Sequence, residues 1–401
     1  QKYFKTIMQE FPKVYLKPGR DHSLKRFHLW VFSGAIKGLA GKPEEGDIVE
    51  VVDSSGNYLA TGHIQNGSIS VRIISFEQTD AGKDFWKAKF EKAFEMRKSL
   101  GFFNNPETNV FRLVHGEGDG FPGLIVDFYN GVVVIQAHSV GMWRHRKLFA
   151  EVIKEILGET CVAVYDKSEA TLHTAVEEEG EKFLVGKSEN ILVKEYGNSF
   201  EIDFQGGQKT GFFIDQRESR RLLGNFCKGK KVANIFSYTG GFSVYAAAAG
   251  ATLVDSLDAS EKAVDLAKKN MQANFGDKPE HGYFAQDAFE FFKKEENNYD
   301  VIVLDPPAFA KHKQALNNAL KAYRRINEAA IRNLNTNGIL FTFSCSQVVS
   351  KDDFRKTIFE AAANTGRSVK ILHQLTQPAD HPINIYHPEG EYLKGLVLFV
   401  E

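Results

Sequence analysis

The alternation of apolar and polar residues changes character twice along the chain. Up to about residue 80, short β-rich runs dominate: Val14-Tyr15-Leu16, an alternating stretch over 46–52, and two more over 58–63 and 69–74. The turn signals Lys17-Pro18-Gly19-Arg20 and Asp53-Ser54-Ser55-Gly56-Asn57 punctuate them, so this part predicts a small barrel or sandwich. After a polar stretch over 77–84, Phe85, Ala88, Phe90 and Phe94 recur at helical spacing. Strands are then expected over 110–115, 124–128 and 132–137, a helix over 143–157, and further strands over 191–204. Gly116-x-Gly118-x-Gly120 lies between two strands and opens no helix; it reads as a turn and not as a nucleotide loop.

From Lys231 onward, strands and helices alternate regularly. Strands are expected over 232–236, 252–258, 283–287, 300–305, 339–345, 369–372 and 396–400, with helices over 241–249, 260–274, 316–334 and 352–365. Ser260 before Glu261, followed by the stripe Ala263, Ala267 and Met271, suits a capped amphipathic helix. Such alternation implies a parallel, doubly wound α/β sheet. The expected domains are 1–78 (small, all-β), 79–205 (α+β) and 206–401 (α/β), in keeping with a 401-residue chain too long for one core.

Composition narrows the class without naming it. Hydrophobic residues at 43% and charged residues at 25% are ordinary for a soluble globular protein. No apolar run approaches the ~18–20 residues of a membrane span. There is no basic-then-apolar leader, so a secreted or membrane protein is not expected, and the start at Gln1 suggests a trimmed sequence. Cys161, Cys227 and Cys345 are odd in number and far apart; they read as reduced thiols of a cytoplasmic protein, with no disulfide framework and no metal spacing. A net charge of −1 excludes a uniformly basic nucleic-acid surface, but basic residues cluster locally. Up to Ala40, Lys2, Lys5, Lys13, Lys17, Arg20, Lys25, Arg26 and Lys37 face only Glu10 and Asp21; further clusters are Arg144-His145-Arg146-Lys147 and Lys311-His312-Lys313. Each alone suits a solvated face; together with Trp30, Phe32 and Trp143 they favour a polyanionic partner.

Ligands of open parallel sheets bind beyond the carboxyl ends of the strands, so the residues ending each strand carry the chemistry. The first strand runs into Phe236-Ser237-Tyr238-Thr239-Gly240-Gly241, a glycine turn that lets backbone approach a ligand. The second ends in Asp258, placed to accept ribose hydroxyls; the third ends in Asp287, the fourth in Asp305-Pro306-Pro307-Ala308-Phe309, the fifth in Ser344-Cys345-Ser346. Neither GxGxxG nor GxxxxGK[ST] occurs at these strand ends, which points away from dinucleotides and nucleoside triphosphates. Acidic and polar strand ends in register suit an adenosine-bearing ligand without a pyrophosphate, such as S-adenosylmethionine.

Val232-Ala233-Asn234-Ile235-Phe236 with its glycine turn, Leu304 to Phe309, and Phe343-Ser344-Cys345-Ser346 resemble motifs I, IV and VI of class I methyltransferases. More closely, the chain resembles the bacterial 23S rRNA cytosine-5 methyltransferases and their relatives. The runs Lys209 to Arg217 and His387 to Gly395 are similar to theirs, and Lys17 to Arg20, His28 to Phe32 and Gly46 to Val49 echo their N-terminal PUA domain. The resemblance implies a Rossmann-like methyltransferase domain preceded by PUA-like and α+β domains. It implies S-adenosylmethionine bound by Phe236, Ser237, Tyr238, Thr239, Gly240, Asp258 and Ala259, by Asp287 and Ala288 near the adenine, and by Asp305 and Gln216. It further implies 23S rRNA as partner, with Lys17, Arg20, Lys25, Arg26, Arg144 and Lys311 as RNA contacts. No membrane or metal is implied, and a homodimer stays open.

Carbon-5 of cytosine is a poor nucleophile; a thiolate adding at carbon-6 makes it an enamine. Cys345 is the expected nucleophile, while Cys161 and Cys227 read as buried small hydrophobes. Asp305 would hydrogen-bond the ring at nitrogen 3 or its amino group, and Phe309 would pack on the base. Motif IV lacks the second cysteine of two-cysteine enzymes, Pro307 or Ala308 standing there, so product release falls to another base, with His312 as a candidate. Three readings compete: a uracil-5 methyltransferase, a nitrogen methyltransferase needing no thiol, and a non-catalytic RNA-binding assembly factor.

Overall fold

Alternate apolar positions of the N-terminal strands turn inward, and Val14, Leu16, Val49, Val51, Val71 and Ile73 are fully buried. In this computed structural model, which describes residues 10–172, 182–189, 191–293, 298–310 and 312–401, they line a six-stranded sheet. Its order is Trp30–Phe32, Ile69–Ser75, Tyr58–Ile64, Ile48–Val52, Lys13–Leu16, Ile36–Ala40. Lys13–Leu16 runs parallel to Ile48–Val52 and antiparallel to Ile36–Ala40.

The continuous apolar run of Val132–Ala137 has a different cause. Its five-stranded sheet, ordered Phe183–Val185, Ala163–Asp166, Val132–Ala137, Leu124–Tyr129, Val110–His115, is covered on both faces. Val133 and Ile135 pack with Trp86, Phe90 and Phe149 of the helices Lys83–Ser99 and Arg146–Leu157, whereas Val132 and Val134 join the core of the C-terminal sheet. The helix expected over 143–157 is two helices, Val140–Arg144 and Arg146–Leu157, broken at His145, whose Nδ1 lies 2.8 Å from the Gly141 carbonyl. Gly116–Asp119 forms a single 3-10 turn between strands, with Gly120 left-handed after it. The next two strands, Ile191–Glu195 and Asn198–Ile202, make a hairpin. Tyr196 and Gly197 at its tip take φ of 48° and 81°, the left-handed pair that a two-residue turn requires. The hairpin packs into the C-terminal core through Val193, Phe200 and Ile202, and its free edge donates Ser199 and Glu201 N–H to Asn274 and Asn270, each at 2.8 Å. We propose that the boundary between the middle and C-terminal domains therefore precedes this hairpin.

The C-terminal sheet has seven strands: first Lys231–Ile235, second Leu253–Asp258, third Gly282–Ala285, fourth Tyr299–Leu304, fifth Leu334–Ser344, sixth Val369–Leu375 and seventh Lys394–Val400. Their spatial order is third, second, first, fourth, fifth, seventh, sixth. All are parallel except the seventh, which inserts antiparallel to both neighbours and departs from the fully parallel sheet that alternation predicts. No crossover helix separates it from the sixth, so the chain returns from the edge at which it left. Leu375 pairs with Gly395, and Ser344 with Lys394; the excursion over 376–393 therefore lies at the carboxyl edge of the sheet.

Candidate active site

The turn after the first strand is held in unusual backbone. Phe236 and Tyr238 take φ of 62° and 46°, and Gly240 takes 78°. A Cβ on Gly240 would sit 2.9 Å from the Ala267 Cβ, so glycine there lets the turn lie against the helix Glu261–Phe275. Left-handed backbone at two non-glycine residues is strain that ligand sites commonly retain. Asp258 pins the turn: one carboxylate oxygen accepts the Tyr238 N–H at 3.0 Å, the other the Ser260 N–H at 2.9 Å. Each oxygen keeps a lone pair for a ligand hydroxyl.

This turn walls a cavity of about 250 Å³. Phe236, Ser237, Tyr238, Thr239, Asp258, Ala259, Gln216, Asp305 and Cys345 all line it, so the structure brings most of the expected residues together. Gly240 lies behind, against the helix. Asp287 and Ala288 are not among the residues that line the cavity; the third strand ends at Ala285, and Asp287 caps the next helix, accepting the Phe289 and Glu290 N–H at 2.8 and 3.2 Å. Phe309 does not line it either, its ring packing 4.7 Å from that of Tyr323. His312 is exposed outside it.

Residues from the loop over 208–216 and from the excursion complete the wall, and sequence reasoning assigned most of them no role. Tyr238 anchors that loop, its hydroxyl accepting the Gln208 N–H at 2.9 Å. Lys209 Nζ lies 3.7 Å from Asp215 Oδ2, which also accepts the Tyr392 hydroxyl at 2.7 Å. Burial pushes Asp215 up, yet Lys209, His381, the Tyr392 hydroxyl and Arg112 together hold it at about 2, so it is ionised. Asp305 goes the opposite way: burial, reinforced by the charge of Asp215, raises it to about 7 against the pull of Lys209 and a Gln216 hydrogen bond. The two carboxyls are thus pushed in opposite directions, Asp305 toward its protonated form and Asp215 toward its ionised one. The only signal for Lys209, Asp215 and Tyr392 in the sequence was the family likeness of their runs.

Cys345 follows the fifth strand between two anchored serines. Ser344 Oγ donates to the Tyr323 hydroxyl at 3.1 Å and Ser346 Oγ to the Ala310 carbonyl at 2.6 Å. Burial raises the thiol above its ordinary pKa, Asp305 and Asp215 add to this, and Lys209 opposes it. Cys161 and Cys227 are buried in hydrophobic cores, away from the cavity.

Two atoms on the cavity wall mark the place of a polar ligand. Among the described residues, Ser237 Oγ and Gln216 Oε1 are buried with no hydrogen-bond partner. With the strained glycine turn and the oriented Asp258, they fit an adenosine-bearing ligand.

The basic candidates divide. Lys17, Arg20, Lys25 and Arg26 are exposed on the N-terminal domain, although Lys25 pairs with Asp21 at 2.5 Å. Arg144 bridges to Asp47 at 2.5 Å, which ties it to the N-terminal sheet. Lys311 lies outside the described residues.

Comparison with known proteins agrees with this geometry. Residues 111–396 match the S-adenosylmethionine-dependent methyltransferase family, and residues 14–76 a PUA-like domain. Ribosomal RNA large subunit methyltransferase I of Alteromonas mediterranea is 38% identical over 96% of this chain and 98% of its own. The Klebsiella pneumoniae protein of the same name is 35% identical over 96% and 97%. A solved methyltransferase complexed with SAH shares the fold, with a TM-score of 0.84 at 24% identity over 97% of this chain and all of its own. A SAM-dependent methyltransferase from Streptococcus mutans reaches 0.82 at 23%, with the same coverage. With a cavity at the carboxyl edge of its sheet and a PUA-like domain in front, this chain belongs to the S-adenosylmethionine-dependent methyltransferase family, in the branch of the large-subunit ribosomal RNA methyltransferases I.

Proposed function

We propose that the protein methylates carbon-5 of a cytosine in large-subunit (23S) ribosomal RNA through a Cys345 adduct. The observation that carries this reading is Cys345 on the wall of the cofactor cavity together with the carboxyls of Asp305 and Asp215. Nitrogen methylation needs no thiol there. The relatives' names supply the RNA, and Asp258, Ser237 and Gln216 are the groups that would hold the cofactor.

The carboxyl pair suits the Watson–Crick edge of cytosine. Asp305, protonated up to about pH 7, can donate to nitrogen 3; ionised Asp215, whose Oδ1 has no hydrogen-bond partner among the described residues, can only accept, as a 4-amino group requires. Uracil presents the opposite pattern at both positions. Cys345 gives its proton to solvent water, Lys209 favouring the thiolate against the burial and carboxyl charges that oppose it, and its sulfur bonds to carbon-6. The ring's π electrons move toward nitrogen 3 as Asp305 gives up its proton, and carbon-5 becomes nucleophilic. Bound S-adenosylmethionine supplies an electrophilic sulfonium methyl. The carbon-5 proton then passes to solvent water, its bonding electrons re-form the carbon-5–carbon-6 double bond and expel the thiolate, and nitrogen 3 returns its proton to the Asp305 carboxylate, which restores the ring. The target base must be unstacked to reach the cavity, and the exposed basic residues of the PUA-like domain suit a hold on the surrounding RNA.

Incubation with 23S rRNA carrying 5-fluorocytosine tests the reading. A covalent protein–RNA adduct is expected, because fluorine cannot leave as a proton. Cys345→Ala should abolish both trapping and turnover, while Cys161→Ala and Cys227→Ala keep them. Wild-type turnover in Cys345→Ala would refute the covalent mechanism, and a methylated base other than cytosine in a digest would refute the assignment.

A further inference from the structure

Away from the cavity, the N-terminal sheet and the 376–393 excursion meet at His28, His387 and Glu389. His28 Nε2 is 3.2 Å from both carboxylate oxygens of Glu389, and His387 Nδ1 is 3.6 Å from one of them. The three ligand atoms all lie within 4.8 Å of one another. Two imidazoles and a carboxylate are the donor set of three-ligand zinc sites that leave a further position to water. With bonds of about 2.0–2.1 Å, tetrahedral ligand atoms stand about 3.3–3.5 Å apart. The two His–Glu separations bracket that spacing.

A second observation points to a missing partner. His387 is 1% exposed, and its Nδ1 has no hydrogen bond among the described residues. A buried nitrogen left so is destabilising unless something fills the place. The Trp30 backbone holds the other ligand: His28 Nδ1 lies 3.3 Å from the Trp30 carbonyl and 3.2 Å from the Trp30 N–H, and a metal on Nε2 requires the tautomer that donates Nδ1–H to the carbonyl and gives up the N–H contact. The Trp30 indole walls one side, its ring centroid 4.4 Å from that of His387. Its N–H is held by Glu117, which Arg72 neutralises. Glu389 is 41% exposed and opens the cluster to solvent, giving an ion a way in.

We propose that His28, His387 and Glu389 form a site for a zinc-class divalent transition metal that clamps the PUA-like domain to the segment leading to Tyr392. No sequence motif marks it, because His28 and Glu389 are separated by 361 positions. The same three side chains also make a hydrogen-bonded latch without metal, and the experiment separates the two.

The full-length protein, stripped with chelator, is titrated with zinc by calorimetry and with cobalt by visible absorption. One equivalent is expected to bind, with a tetrahedral or five-coordinate cobalt band and a zinc-dependent rise in the unfolding temperature. His28→Gln, His387→Ala and Glu389→Gln should each weaken zinc at least ~100-fold and remove the thermal shift, with cofactor binding reporting that they fold. Absence of stoichiometric binding to the wild type, or unchanged affinity in the variants, would overturn the proposal in favour of the latch. Should the variants not fold, X-ray absorption of the zinc-loaded wild type decides: two imidazoles with oxygen support the site, and sulfur in the shell or a different imidazole number overturns it.

Discussion

Replacing Asp305 by Asn removes a carboxyl that the cavity keeps protonated up to about pH 7, whereas in the unfolded chain it ionises near its ordinary value of 3.8. Between these values the folded state binds more protons than the unfolded state, so stability falls as pH rises through this window and levels off above about 7. A pKa difference of about 3, at roughly 1.36 kcal/mol for each unit, sets an upper bound of about 4 kcal/mol. Asp305 is partly open to cavity water, which brings the expected figure to about 2–4 kcal/mol. Urea unfolding of the wild type and Asp305→Asn, from about pH 4 to about pH 8, isolates this quantity, since any packing change made by Asn is the same at every pH. The variant should gain on the wild type by that amount across the series while losing at least ~100-fold in turnover, because Asn cannot release a proton to nitrogen 3. A stability difference that stays flat with pH would show that Asp305 ionises normally and would remove the protonated donor from the mechanism.

Asp258→Ala should weaken S-adenosylmethionine by ~10–150-fold in calorimetry, the equivalent of about 1.5–3 kcal/mol for a charge-assisted pair, and undamaged affinity would contradict the ribose placement. Gly240→Ala forces a side chain 2.9 Å from the Ala267 Cβ at a φ of 78° and should destabilise the protein by about 2–3 kcal/mol in chemical denaturation, with cofactor affinity falling in parallel. Reversing the charges of Lys17, Arg20, Lys25 and Arg26 should weaken rRNA binding and flatten its salt dependence, by about 0.7–0.9 in slope for each phosphate no longer neutralised, and leave cofactor binding alone. An unchanged salt titration would move the RNA hold off the PUA-like domain.

What the chain determined locally was the alternation of strand and helix after Lys231, the capped helix begun by Ser260, the strained glycine turn, and the placement of Asp258, Asp305 and Cys345 at or just past the ends of strands. Periodicity and turn chemistry act over a few residues, and a strand end of a parallel sheet faces the ligand wherever the strand sits. Tertiary structure decided the rest. Only pairing of Lys394–Val400 between two other strands showed that the excursion returns to the cavity edge, carrying Tyr392 to Asp215 from 177 positions away. Asp287 falls past the third strand, which stops at Ala285, and caps a helix, and the Phe309 ring packs on Tyr323. The opposed ionisation of Asp215 and Asp305 came last, because it depends on the burial and charges that Lys209, Arg112 and His381 bring from separate parts of the chain. Desolvation and Coulomb interactions depend on distance in space, and a sequence records only distance along the chain.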